Sequence, residues 1–191
     1  MSFEDQSRTV LATERLRFRL LTLADLDNLI ALNHDPGVMR YLDVRPPTRE
    51  QTWAELGTSL REYEEFPGFG TWAAIEKSTG RFAGWFSLRR HHSLPEDHAT
   101  LGYRLRRSVW GLGYATEGVR ALVRLGFDEL GLTRLSADTM AVNERSRRVM
   151  QKAGLRFVRG YHETFDEPVP GTEHGEVEYA ITREEWAQGP A

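Results

Sequence analysis

Apolar and polar positions follow one another along the chain in patterns that predict both strands and helices. Between Arg15 and Leu21 apolar residues alternate with arginines, which predicts a strand with one buried face. Two apolar-rich runs, 71–76 and 82–89, are separated by a short polar segment containing Gly80 and predict an antiparallel hairpin. Further strands are expected at 99–105, 135–142, 157–161 and 177–181.

Helices are predicted where apolar residues recur every three or four positions. They are expected between Thr22 and Pro36-Gly37, from Thr48 to Pro67-Gly68, over 114–130 and over 143–153. In the second helix, Trp53, Leu56 and Leu60 have the spacing of a shared buried face. The order of elements indicates a mixed α/β sheet with interspersed helices rather than a strict βαβ repeat.

The composition is that of one globular domain covering residues 1–191. The sequence has no cysteine, which excludes disulfides, thiolate nucleophiles and cysteine-based metal sites. No apolar run approaches the roughly 20 residues of a membrane span. Residues 1–8 lack the apolar stretch of a signal peptide, so we expect a cytoplasmic protein with no membrane partner.

The charge is unevenly distributed, although the net charge is only −3. Residues 100–160 hold twelve Lys and Arg against five Asp and Glu, whereas residues 161–191 hold one against eight. This division suggests one anionic and one cationic ligand, and the alternative is that both segments are solvated faces. The net charge gives no reason to expect a nucleic acid as partner.

A glycine turn at the junction of a strand and a helix is the main candidate binding site. Gly111 and Gly113 directly precede the predicted helix that starts at Tyr114, so free backbone amides and the positive end of the helix dipole would form an anion site. The alternative is that Gly111 and Gly113 only form a tight strand-to-helix turn that binds no ligand. A dinucleotide-binding turn would need a glycine where Thr116 stands, and a P-loop would need Lys-Ser/Thr after Gly113.

Several motifs around this turn resemble one known family. Residues 110–117, Trp-Gly-Leu-Gly-Tyr-Ala-Thr-Glu, resemble the pyrophosphate-binding motif of the GNAT acetyltransferases, in particular their RimJ/RimL-type branch. That branch has further motifs which are matched here by Thr13 to Leu16, Gly102-Tyr103, Asn143, Ser146 and Gly154. The resemblance covers about residues 13–160.

The resemblance implies the GNAT fold, a twisted and mostly antiparallel mixed sheet of about six to seven strands with about four flanking helices. It also implies an acetyl-CoA site. The strand before the glycines would be bulged and splayed from the next strand, and pantetheine would lie in the resulting slot. The implied CoA-binding residues are Leu105, Arg107, Gly111, Leu112, Gly113, Tyr114, Ala115, Thr116, Asn143 and Ser146.

The resemblance points to Ser146 as the group that hydrogen-bonds or protonates the leaving thiolate. The alternative is that Asn143 and Ser146 only cap a helix. Family members often carry a glutamate base where this chain has Thr100, so the usual base is absent. Glu163 and Asp166 are candidate replacements, although solvated loop carboxylates or a water relay would also fit. Weaker candidates are Asp97, His98, Asp138 and His162.

The expected function is direct transfer of an acetyl group from acetyl-CoA to a primary amine, either a protein N-terminus or a small cationic amine. The acidic stretch from Glu163 to Glu178 favours a cationic acceptor. A non-catalytic acyl-CoA sensor and a nucleotide-binding domain are the alternatives. The spacing of His91, His92 and His98 fits no zinc pattern, so no metal is expected. The oligomeric state stays open, with a homodimer as one option.

Overall fold

The computed structural model describes residues 9–42, 45–165 and 167–189, and eight strands in this part of the chain form one sheet. The strands are β1 (Thr9–Ala12), β2 (Leu16–Leu20), β3 (Gly70–Glu76), β4 (Phe82–Arg89), β5 (His98–Leu105), β6 (Arg134–Met140), β7 (Arg156–Tyr161) and β8 (Glu176–Thr182). Their order is β1-β2-β3-β4-β5-β6-β8-β7, so the last strand lies between β6 and β7.

Six α-helices accompany the sheet in the described residues. They are α1 (Leu26–Asn33), α2 (Pro36–Met39), α3 (Arg49–Glu65), α4 (Tyr114–Arg124), α5 (Glu144–Lys152) and α6 (Arg183–Ala187). Local capping explains several of their starts. The Thr48 hydroxyl accepts a hydrogen bond from the Gln51 amide at the start of α3, and Thr182 does the same for Glu185 at the start of α6.

The sheet splits between β5 and β6, which are its one parallel pair among the described strands. These strands pair only at their first three positions, from His98↔Arg134 to Thr100↔Ser136. Beyond that point β5 continues to Leu105 and β6 to Met140 without pairing to each other. We call the opening between residues 101–105 and 137–140 the gap.

The two faces of the sheet have separate cores. On one face α4 and α5 pack with the larger cluster, which includes Phe86, Leu122 and Met150. On the other face α1 to α3 pack with a smaller cluster that includes Leu29 and Leu56. The helices on this second face lie over β3 and β4.

The mixed α/β sheet expected from the sequence is confirmed, with more elements than the six to seven strands and about four helices anticipated. Pro36 begins α2 rather than ending a helix, because proline suits a first helical turn where no backbone donor is needed. Trp53 is 49% exposed instead of buried, so the register of α3 differs from the prediction.

The bulge implied for β5 lies instead in the neighbouring strand. β4 and β5 pair without a register shift from Gly84 to Arg89, whereas Ala83 is an extra residue in the pairing of β4 with β3. The splayed slot is present all the same. It results from the short pairing of β5 with β6.

Candidate active site

The glycine turn presents free backbone donors at the start of α4. Gly111 and Gly113 have φ angles of 78° and 83°, a left-handed conformation that a side chain would strain. Gly113 is the N-cap residue of α4, and the first intrahelical bond runs from the Glu117 amide to its carbonyl. Among the described residues, no protein acceptor takes a hydrogen bond from the backbone amides of residues 111–116. Such a row of amides is suited to an anion.

A side-chain network holds this turn against the start of β2. The Arg15 guanidinium donates to the Leu112 carbonyl at 2.7 Å and forms an ion pair with Glu117 at 2.6 Å. Partial burial of Glu117 acts to raise the pKa of its carboxyl. Hydrogen bonds from Thr13 and Arg15 outweigh this effect and keep that pKa below its ordinary value. The guanidinium also lies 4.8 Å from the centre of the Tyr114 ring. The turn is therefore fixed in place by residues far from it in sequence.

The edge of β5 presents backbone groups to the gap. The Arg106 backbone amide donates a hydrogen bond to the Ala83 carbonyl of β4. Successive residues of a strand direct their backbone groups to opposite sides, so those of Leu105 and Tyr103 point away from β4, toward the gap. The Leu105 carbonyl accepts a hydrogen bond from the Trp110 indole at 2.8 Å. Across the gap, the Arg145 guanidinium of α5 lies 5.3 Å from the centre of the Trp110 ring.

Ser146 and Tyr103 meet on the side of the sheet covered by α4 and α5. The Ser146 Oγ lies 2.8 Å from the Tyr103 hydroxyl. Burial raises the pKa of Tyr103 to about 12, although the bond to Ser146 opposes the rise. Tyr103 therefore remains protonated at neutral pH. The pair joins β5 to α5 beside the gap and can supply a proton there.

Asn143 and Arg107 have protein partners in the structure. The Asn143 Oδ1 accepts a hydrogen bond from the Ser146 backbone amide at 3.3 Å, so Asn143 serves as the N-cap of α5. The Asn143 Nδ2 donates a hydrogen bond to the Thr139 hydroxyl at 3.0 Å. Arg107 forms an ion pair with Asp35 at 2.8 Å, which ties the segment before the glycine turn to α2.

An acidic pocket of about 410 Å³ lies at the end of β6 that borders the gap. Its walls come from the segment that follows α2, from β6, and from β7, β8 and the segment that joins them. Its lining includes Tyr41, Leu42, Asp138, Thr139, Met140, Tyr161, Glu163, Phe165, Glu167, Val169, Thr172 and Glu176. Four of the twelve lining residues are carboxylates, and one of these, Glu167, forms an ion pair with Arg45 at 2.8 Å. The excess of negative charge over positive in the lining suits this pocket to a cation.

Glu176 is the functional candidate that the sequence reasoning missed. Burial and the charges of Glu163 and Asp138 raise the pKa of Glu176 to about 7. Asp138 accepts a hydrogen bond from the Tyr161 hydroxyl at 3.0 Å. Glu176 stands opposite Met140 and Tyr161 because β8 lies between β6 and β7. That insertion, which the sequence does not reveal, assembles the pocket.

The two candidate replacement bases from the sequence have different outcomes. Glu163 lines the acidic pocket and contributes to the raised pKa of Glu176. Asp166 lies outside the described residues.

The Tyr103–Ser146 pair and the acidic pocket lie on opposite faces of the sheet. Val177 and Tyr179 belong to the core on the α4 and α5 side, so Glu176 and Glu178, which alternate with them in β8, face the other side. In β6, Ala137 belongs to that same core, and Asp138 therefore faces the acidic pocket. The gap between β5 and β6 is where groups from the two faces can meet.

Residues 9–42, 45–165 and 167–189 contain neither a cluster of metal-ligating side chains nor a helix that could span a membrane. No group of three or more His, Cys, Asp and Glu side chains in this part of the chain could hold a metal ion. None of its helices combines the length and apolar character of a transmembrane span.

Comparison with known proteins gives a clear family match. A family model described as the acetyltransferase (GNAT) domain matches residues 15–156. The FsC-acetyl coenzyme A-N(2)-transacetylase of Aspergillus fumigatus is 37% identical over 188 residues, which cover 95% of this chain and 79% of that protein. The N-acetyltransferase YoaA of Bacillus subtilis, itself uncharacterized, is 29% identical over 77% of this chain and 82% of its own length.

Solved structures show the same fold. RimL, a ribosomal L7/L12 α-N-protein acetyltransferase in complex with coenzyme A, aligns with a TM-score of 0.77 at 17% identity and covers 92% of this chain and 98% of its own. A spermidine N-acetyltransferase from Vibrio cholerae, in complex with CoA and spermine, aligns with a TM-score of 0.75 at 14% identity over 91% and 98% of the two chains.

Proposed function

The chain belongs to the GNAT acetyltransferase family, and we propose that it transfers the acetyl group of acetyl-CoA to a small cationic amine bound in the acidic pocket. Enzymes of this family are N-acetyltransferases that use acetyl-CoA. The acceptor and the residues that act on it are the new part of the proposal. The observation that carries it is the gap, which separates a turn suited to an anion from a pocket suited to a cation.

Residues 111–116 would bind the diphosphate of acetyl-CoA. Their amides have no protein acceptor among the described residues, and Arg15 holds the turn in a fixed position. A preorganised row of donors binds an anion without first breaking internal hydrogen bonds. The gap-facing backbone groups of Leu105 and Tyr103 would then pair with the pantetheine amides, as an added strand pairs with a free sheet edge.

Glu176 is the proposed base. An acceptor amine enters the pocket as an ammonium ion and must lose a proton before it can attack the thioester. A carboxylate with a pKa of about 7 is close to the best strength for this transfer at neutral pH. Glu176 would take the first proton from the ammonium ion and release it to solvent water. As the C–N bond forms and the C–S bond breaks, the nitrogen would lose its second proton to Glu176, and the thiolate would leave on the side of Tyr103 and Ser146.

The Tyr103–Ser146 pair is the proposed proton source for the leaving thiolate. Ser146 would donate its proton to sulfur and recover one from the Tyr103 hydroxyl, which lies 2.8 Å away, and Tyr103 would in turn regain its proton from solvent water. Positioning of the amine against the thioester supplies the larger part of the rate increase, because orientation alone can remove several kcal/mol of a bimolecular barrier.

The size and charge of the pocket favour a small amine over a protein surface. Its volume of about 410 Å³ falls in the range of small-molecule sites. The named relatives support this choice only in part, since one acts at an N(2) nitrogen, one on spermidine and one on a ribosomal protein. We therefore propose a small cationic amine, with protein N-termini as the second class to be tested.

The test is the release of free CoA from acetyl-CoA by the purified protein with polyamines, amino sugars and N-terminal peptides in turn. We expect turnover with small cationic amines, and Glu176→Gln should lower kcat by at least tenfold. Glu184→Gln is the matched control, because Glu184 is exposed in α6 outside the pocket. CoA binding without turnover across the whole panel would contradict the proposal.

A further inference from the structure

The inward face of α3 is polar, although a helix that packs on a sheet normally turns apolar residues inward. Thr52 and Ser59 are among its buried residues, at 1% and 6% exposure, and Leu56 is the apolar residue between them. Glu55 and Glu62 lie along the same side, since they are separated from Thr52 and Ser59 by three residues. A break in the amphipathic pattern of this kind marks a site rather than a packing face.

This polar face borders a cavity that is distinct from the acidic pocket. The cavity has a volume of about 430 Å³ and lies between α1, α3 and strands β3 to β5. We call it the α3 cavity. Its floor is formed by Thr71, Trp85, Arg89 and Arg104 from the three strands, and Asn33 at the end of α1 closes one side. The exposed residues Glu55 and Thr58 lie at its mouth.

Several buried polar atoms at this cavity lack hydrogen-bond partners among the described residues. The Thr52 hydroxyl and the Arg89 Nε are among them. A buried hydroxyl without a partner destabilises the folded state, and native proteins contain few of them. The Arg89–Glu62 ion pair, at 3.1 Å, also leaves the buried Glu62 Oε2 without a hydrogen bond of good geometry. These groups are satisfied if a polar ligand enters the cavity.

The charges around the α3 cavity are balanced, and one pair of them, Arg89 and Glu62, is in direct contact at 3.1 Å. Arg89 and Arg104 lie on the sheet side, and Glu55 and Glu62 lie on the helix side. The Arg104 guanidinium is oriented by Asn33 and lies 5.3 Å from the centre of the Trp85 ring. A ligand with one negative and one positive group matches this arrangement, whereas a simple anion or cation would meet one wall of its own sign.

We propose that the α3 cavity binds a small zwitterion of the α-amino acid type. Its carboxylate faces Arg89 and Arg104, its ammonium faces Glu55 and Glu62, and the Thr52 hydroxyl donates to the carboxylate. An ammonium ion held by two carboxylates stays protonated and is a poor nucleophile. The nitrogen bound here is therefore a different one from the nitrogen that is acetylated. The proposal does not depend on the identity of the acetyl acceptor.

Calorimetry with the purified chain tests the ligand class. The probes are the twenty common amino acids, each added alone, together with acetate and methylammonium as half-ligands. We expect at least one amino acid to bind, and each half-ligand to bind at least tenfold more weakly. No binding by any amino acid, or equal binding by a half-ligand, overturns the proposal.

Thr52→Val tests the assignment to this cavity. Valine has nearly the same shape but no hydroxyl, so the free protein should melt at an equal or higher temperature while affinity for the amino acid falls at least fivefold. Thr9→Val, the same change at an exposed position of β1, should alter neither. A stabilised Thr52→Val protein with unchanged affinity would show that the hydroxyl is only a packing defect and would overturn the site.

Glu55→Gln gives a second test that does not touch the core, because Glu55 is exposed. It should weaken amino acid binding at least fivefold, whereas Glu64→Gln on the exposed side of the same helix should not. Equal effects of the two changes would contradict the proposed contact.

Competition between the amino acid and the acetyl acceptor shows whether the zwitterion in the α3 cavity is part of the acceptor or a separate ligand. If the zwitterion belongs to the acetyl acceptor, the amino acid raises the KM for the acceptor. If it is a separate ligand, that KM is unchanged while calorimetry still detects binding.

Discussion

The Ser146 Oγ lies 2.8 Å from the Tyr103 hydroxyl, and this contact joins α5 to the edge of β5 beside the gap. The two residues are separated by 43 positions in sequence. Tyr103 also donates to the Ser146 carbonyl at 3.2 Å, so the tyrosine fixes both the backbone and the side chain of the first turn of α5. Ser146 therefore has a defined position beside the gap.

We predict that Ser146→Ala lowers kcat about tenfold or more while the affinity for CoA changes less than threefold. The alanine removes the proposed donor to sulfur but leaves the Asn143 cap in place. Stopped-flow measurement of thiol release, with CoA affinity from calorimetry, checks both values. Tyr103→Phe should give a smaller loss, since the serine donor remains. An unchanged kcat in Ser146→Ala would limit the serine to a structural role.

Gly113→Asp should abolish CoA binding, because its carboxylate would stand beside the proposed diphosphate site. A Cβ at Gly113 would lie 3.3 Å from the Arg15 Nη2, and its φ of +83° strains any side chain. Gly113→Ala carries the same strain without the charge and is the control. We expect the aspartate variant to bind CoA at least tenfold more weakly than the alanine variant by calorimetry. Equal losses would assign the effect to backbone strain alone.

The pH dependence of kcat/KM should report the titration of Glu176. A base must be deprotonated, so activity should rise with pH up to about 7, the pKa of this carboxyl. In Glu176→Gln this rise should disappear, whereas Glu184→Gln should retain it. A wild-type profile that is flat through neutral pH would remove Glu176 from the mechanism.

The titration of Glu176 should also make the free energy of unfolding depend on pH in a definite direction. Burial raises the pKa of Glu176, so the folded state binds the proton more tightly than the unfolded chain. Its contribution to the free energy of unfolding is full at low pH and is lost as pH rises toward 7. As pH rises toward 7, the melting temperature of Glu176→Gln should therefore fall less than that of the wild type. Identical slopes would show that the folded state does not perturb this group.

The packing of α4 on the sheet depends on the missing side chain of Gly118. A Cβ at this position would overlap the Phe86 ring, so Gly118→Ala should destabilise the protein by about 1–3 kcal/mol. Gly57→Ala in α3 is the control, because a Cβ there would meet the Arg61 side chain at an ordinary contact distance of 3.6 Å and alanine is favourable in a helix. Denaturant unfolding compares the two, and equal stability of both variants would contradict this account of the packing.

Local patterns predicted the elements on which the anion site is built. The glycine turn, the start of α4 at Tyr114 and the cap at Asn143 are each determined by a few neighbouring residues. These features depend on backbone conformation and capping, which a short segment of sequence encodes. The resemblance to a family added the splayed strands, which no local pattern indicated.

Long-range placement accounts for what the sequence did not predict. Glu176 becomes a candidate base only because β8 inserts between β6 and β7 and brings it beside Asp138 and Glu163. In α3, periodicity favoured burial of Trp53, but the helix turns Thr52 and Ser59 inward toward a cavity. The hydrophobic pattern assumes an apolar core face, so it assigns the wrong register where that face is polar.

The amide resonances of the glycine turn test the central claim most directly. In ¹H–¹⁵N spectra of the protein, CoA should shift the amides of Gly111, Gly113 and their neighbours through residue 116, whereas pantetheine, which lacks the diphosphate, should leave them nearly unchanged. If CoA binds without moving these amides, or if pantetheine moves them equally, the turn does not bind the diphosphate.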